Sequence, residues 1–179
     1  MAHTRKSTRI IEALVILTLI VVPIAAQEAA TAGVSQTLPS GAGESVDRDI
    51  ARARIATERF KIAAEAVTAG YEPTTSCVEH QPEGVMGLHY KNLALRDATL
   101  DVEHPEILLY QRTADGTLQL TGVEYIVPTS AWTHTNAPTL MGQSLKRDQQ
   151  LGIWFLHAWI WEFNPSGTFA DWNPRAKCR

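Results

Sequence analysis

Apolar and polar positions recur along this chain with two different periods, and the change of period near Tyr71 divides it. Ahead of that point Ile50, Ala53, Thr57, Phe60, Ala64, Val67 and Tyr71 fall three or four residues apart, on one stripe of a helix. Ile55 and Ile62 widen the stripe, and Arg48, Arg52, Arg59 and Glu65 are left for the wet side. Ser45 or Asp47 suits the N-cap, Gly70 the position just past the end, and Pro73 forbids continuation. Beyond Tyr71 the period drops to two. Residues 85–91 (VMGLHYK) read as a strand with Val85, Gly87 and His89 on one row and Met86, Leu88 and Tyr90 on the other. Residues 106–112 and 117–127 flank Ala114-Asp115-Gly116, a Gly-ended connection expected of a hairpin. Residues 152–163 (GIWFLHAWIWEF) are apolar on both rows, which predicts a strand covered on both faces, central in a sheet or lining a barrel. Their aromatic and β-branched content favours a strand over a buried helix.

One helix followed by strands, without alternation of the two, is an α+β pattern. The expected architecture is an N-terminal amphipathic helix packed on a curved antiparallel sheet or small β-barrel, with residues 47–179 forming a single domain. Residues 128–150 read as a long irregular loop holding Trp132 and His134. Asn164-Pro165-Ser166-Gly167 is a type I turn sequence.

The N-terminus changes the picture. Arg5, Lys6 and Arg9 precede an apolar run over 13–22, then Pro23, Ala25 and Ala26. That order reads as a secretory signal peptide over 1–26, with a second acceptable cleavage point at 32. The competing reading, an uncleaved anchor, needs about 20 apolar residues, and Glu12 and Pro23 bracket fewer. Residues 27–46, rich in Ala, Gly, Ser and Thr, read as a flexible lead-in. The formal charge of −3 becomes −5 once three basic residues and Glu12 leave with the signal. A mildly acidic chain carries no electrostatic footprint for nucleic acid and no basic patch for anionic lipid. The expected location is therefore secreted, periplasmic or cell-surface. In that setting the two cysteines, Cys77 and Cys178, are expected as a disulfide.

Several segments in order, Met86-Gly87-Leu88-His89-Tyr90, Pro105-Glu106-Ile107-Leu108-Leu109-Tyr110, Gly122-Val123-Glu124-Tyr125-Ile126-Val127-Pro128, Leu156-His157-Ala158-Trp159-Ile160-Trp161, and Asn164-Pro165-Ser166-Gly167 with Phe169-Ala170-Asp171-Trp172-Asn173-Pro174, resemble a family of uncharacterised, predicted-exported bacterial proteins. The resemblance runs from the helix to Cys178 and implies an exported domain; it implies no activity. Gly84-Val85-Met86-Gly87 is a slight departure, since a more glycine- and methionine-rich stretch is associated with that place.

Four ionisable residues interrupt otherwise apolar strands: His89, Glu106, Glu124 and His157. Glu124 shares its row with Leu118, Leu120 and Ile126, and His157 lies between Phe155 and Trp159. Burying an unpaired charge costs several kcal/mol, so such groups are paired, hydrogen-bonded or metal-bound. His89, Glu124 and His157 would together suit Zn, Cu, Fe or Mn, although their spacing matches no metal signature. Phe155, Trp159 and Trp161, with Glu106, could line a pocket for a small molecule. Three functions follow from these residues. One is an exported domain binding a small ligand or metal ion; another is a metal-dependent or acid–base enzyme using the same cluster; the third is a structural or adhesive module in which the cluster only stitches the core.

Overall fold

The structure, a computed structural model, describes residues 42–73 and 76–178. The predicted signal peptide and most of the lead-in lie outside them.

Helix α1 (Ala42–Thr57) is followed by a 3₁₀ turn (Glu58–Lys61) and the short helix α2 (Ala63–Thr68). The helix starts ahead of the expected cap, and Val46 in its first turns packs at Gly142. One continuous helix was expected, but the ladder breaks at Ile62. There the backbone is extended, and the Phe60 carbonyl accepts the Tyr110 hydroxyl at 2.6 Å. The break moves the apolar stripe. Ala53, Thr57 and Phe60 are buried as the periodicity requires, but the next inward positions are Ala63, Ala66 and Ala69. Ile55, Ile62 and Val67 are left exposed. Gly70 ends α2 with φ +92°, and the Tyr71 amide returns to the Ala66 carbonyl, a Schellman closure.

The strands are β1 (Glu72–Pro73), β2 (Val78–His80), β3 (Gly84–Lys91), β4 (Ile107–Arg112), β5 (Leu118–Pro128), β6 (Thr139–Leu140), β7 (Gln143–Ser144), β8 (Lys146–Asp148) and β9 (Ile153–Ala158). The main sheet is antiparallel throughout, in the order β1-β3-β4-β5-β9-β8, with β2 also on β3. It is open, so the barrel alternative does not describe the fold: β1 and β8 are two- and three-residue edges, and β8 is charged along its length (Lys146, Arg147, Asp148). The segment 128–150, expected to be irregular, supplies that edge and the β6-β7 hairpin.

The aromatic strand is shorter than expected. Pairing stops at Ala158, where the chain turns so that the Trp161 and Glu162 amides reach the Thr121 carbonyl. Phe163 is exposed. The turn at 164–167 forms as read, with the Gly167 amide on the Asn164 carbonyl at 3.0 Å. Past it, Asn173 bridges to Val85, and Cys178 is disulfide-bonded to Cys77 with 5.6 Å between their Cα atoms.

One face of the sheet packs against the helices through Phe60, Tyr71, Leu108, Tyr110, Val123 and Tyr125. The opposite face carries Ile107, Leu109, Ile126, Ile153 and Phe155. Two local irregularities decide which residues reach that second face. Leu109 pairs with Gly122 but Tyr110 with Leu120, so Thr121 is an extra residue in β5. The bulge sends Leu118 and Leu120 to the helical side and leaves Glu124 and Ile126 on the other, which corrects the single row expected from strict alternation. In β3, Gly87 has φ +106° and lies so close to β4 that an added Cβ would stand 2.5 Å from the Tyr110 carbonyl oxygen. Across that twist the alternation slips, and Met86 and His89 come to the same side.

Candidate metal centre

Strand register brings the cluster together. Ile107 on β4 faces Glu124 on β5, and Glu124 faces His157 on β9. His89 on β3 stands beside this row, opposite Leu109. Opposed residues of antiparallel strands project from the same face, so all three polar side chains emerge among Ile107, Leu109, Ile126 and Phe155. They are buried, at 7% (His89), 5% (Glu124) and 1% (His157) exposure.

The distances within the cluster are those of groups that face one another without bonding. His89 Nε2 lies 3.5 Å from Glu124 Oε2, and His157 Nε2 lies 3.7 Å from Glu124 Oε1. His89 Nδ1, Glu124 Oε2 and His157 Nε2 are buried with no hydrogen-bond partner among the described residues. Such atoms are rare in native proteins, because each forfeits its hydration without compensation. Burial lowers the pKa of His89 from its ordinary value, against the pull of the Glu124 carboxylate.

One ligand atom from each of the three residues lies within 4.8 Å of the others. A tetrahedral ion with bonds of about 2.0–2.2 Å holds its ligand atoms about 3.3–3.6 Å apart. The His89–Glu124 separation of 3.5 Å falls in that range and the His157–Glu124 separation of 3.7 Å lies just above it, so the group could hold a metal ion. Two imidazoles and one carboxylate suit zinc, copper, iron or manganese better than calcium or magnesium, which take oxygen ligands.

A fourth residue completes the arrangement. Asp171 Oδ1 lies 3.5 Å from His157 Nδ1 and accepts from Lys146 Nζ at 2.7 Å. Burial raises the Asp171 pKa, but the bonds from His157 and Lys146 outweigh it and leave the carboxyl below its ordinary value. A carboxylate behind the far nitrogen of a ligating histidine orients the ring and fixes its tautomer. Sequence reasoning did not assign Asp171, although an acidic residue between Ala170 and Trp172 in an aromatic tail was a usable signal.

The cluster opens onto a cavity of about 380 Å³. Of the residues expected to line a ligand pocket, Phe155 does so, with its ring edge-on to His157. Trp159 and Trp161 stand elsewhere, because the strand ends before them. Trp159 packs with Val85 and Ala176 by the disulfide and donates to the Ala170 carbonyl. Trp161 donates to Thr57 on the helical side and lies under the Lys61 ammonium. Glu106 is buried outside the cavity lining, where its Oε2 accepts from the Ile126 amide at 3.0 Å. Met86, Lys91 and Arg96 do line the cavity and were not singled out from sequence.

Comparisons with protein-family models, with curated proteins and with solved structures found no match to this chain.

Proposed function

We propose that this protein is an exported domain that binds one divalent transition-metal ion on His89, Glu124 and His157 and receives a small molecule in the adjoining cavity. The observation that carries this reading is the convergence of three buried side chains, none bonded to another, with one potential ligand atom of each within 4.8 Å of the others. A purely structural cluster would bond the Glu124 carboxylate to the two imidazoles, and at 3.5 and 3.7 Å it does not. An ion of zinc, copper, iron or manganese would supply the missing partner to Glu124 Oε2 and His157 Nε2, and on the His89 ring would meet the Nε2 that faces Glu124. Export is supported by the disulfide, which belongs to oxidising compartments, and by the basic-then-apolar order of the first 26 residues. Among the described residues no helix is long and apolar enough to cross a membrane.

The second reading, a metal-dependent or acid–base enzyme, is favoured by His89, Glu124 and His157 themselves lining the cavity. Three protein ligands leave coordination positions for water or substrate, the pattern of catalytic rather than structural zinc.

Elemental analysis of protein purified without an affinity tag tests the metal reading. The expected result is about one ion per chain, lost in His157→Ala and in Glu124→Ala while the disulfide still forms. Metal-free wild-type protein whose melting temperature is unmoved by zinc, copper, manganese or ferrous iron would overturn it.

A further inference from the structure

The cavity beside the cluster has an apolar wall and a charged rim, and the two together point to a class of ligand. Ile107, Ile126, Ile153 and Phe155 line its interior, and Leu93 and Leu151, both largely exposed, border it. Lys91 stands one β-period from His89, in the same cross-strand row as Glu124. Arg96 follows the 3₁₀ turn Leu93–Leu95. Neither the Lys91 ammonium nor the Arg96 guanidinium hydrogen-bonds or ion-pairs with another described residue. Asp148, which also borders the cavity, is occupied with the Gln150 and Leu151 amides.

The formal charge of the lining depends on the ion. Lys91 and Arg96 offset Glu124 and Asp148, so with neutral imidazoles the empty-handed site sums to zero. A divalent ion would raise it to +2, in a concave, partly apolar site where such a charge is weakly screened.

We propose that the ligand is a small organic carboxylate with an apolar body, its head group held between the metal ion, Lys91 and Arg96 and its body against Phe155 and the isoleucines. The inference rests on the metal reading above and adds the class of ligand. A neutral polar molecule would leave the +2 of the ion-loaded lining uncompensated, and a bare anion such as acetate would leave the apolar wall wet. A volume of about 380 Å³ admits a ring or a short chain, near the lower end of the about 300–1,000 Å³ common for ligand pockets.

Calorimetry on the full exported chain loaded with zinc, using acetate, benzoate and octanoate, each against its neutral amide, tests this. Benzoate or octanoate is expected to bind at least tenfold more tightly than its amide and than acetate. Lys91→Gln combined with Arg96→Gln is expected to reduce the preference over the amide to threefold or less, and removing zinc to abolish it. Metal content is read in every sample. Zinc-loaded protein that binds no carboxylate better than its amide would overturn the ligand class while leaving the metal reading intact. Protein that takes up no zinc, copper, iron or manganese would overturn both.

Discussion

Asp171 and Glu106 are two carboxyl groups whose surroundings set opposite behaviour. Asp171 touches His157 on one side and Lys146 on the other, and it is held below the ordinary carboxylate range. Replacing it with asparagine keeps the shape and removes the charge that steadies the imidazole. Asp171→Asn is expected to weaken metal affinity about 10–100-fold with little change in melting temperature; chelator competition measures it. Glu106 is buried with the Ile126 amide as its bonded neighbour, and burial pushes its pKa up to about 8. The folded chain therefore holds a proton that the unfolded chain releases near pH 4.5. That contribution to stability is complete below the unfolded value and is lost as pH rises through the folded one. Glu106→Gln is expected to flatten the fall in stability between about pH 4.5 and 8, gaining a few kcal/mol over wild type at the alkaline end. Urea titrations at each pH give the comparison, and parallel slopes for the two proteins would contradict it.

At the scale of elements, the cluster depends on where strands depart from regularity. Gly87 permits both the close approach of β3 to β4 and the slip that turns His89 toward Glu124. Gly87→Ala places a Cβ against the Tyr110 carbonyl at an unfavourable φ. The expected cost is about 2–3 kcal/mol or more, read by denaturant unfolding, together with weaker metal binding because His89 is displaced. These same irregularities set the limit on what the sequence could reveal. His89, Glu124 and His157 were legible because polar residues among strand-forming apolar ones have few alternatives to meeting one another. The company of Glu124 was not legible: a bulge at Thr121 depends on how two strands register, and nothing in the local pattern of β5 announces it. The break at Ile62 was hidden for a similar reason, since it depends on Tyr110, fifty residues from the Phe60 carbonyl it captures. Trp159 and Trp161 continue the strand pattern perfectly well, and only the turn onto Thr121 takes them away from the pocket.

For the molecule as a whole, the C-terminal tail is the closing piece. It crosses β3 at Val85, buries Asn173 and Ala176, and ends in the bond to Cys77. Gly84 makes room for this crossing, since an added Cβ would stand 2.5 Å from the Asn173 backbone. The bond closes a loop with a sequence separation of 101 residues. A loop of that length constrains the unfolded chain by about 4–5 kcal/mol in the entropic account. Reductant, or Cys178→Ser, is expected to lower the melting temperature by about 10–20 °C; calorimetric scans with and without reductant decide it. The segment that Cys178 fastens also carries Asp171 to the back of His157. On the metal reading, oxidation and ion capture would therefore be consecutive steps: a chain still in its thiol form, with its end unmoored, would grip the ion only weakly. Full loading would then wait for that last covalent link to be made.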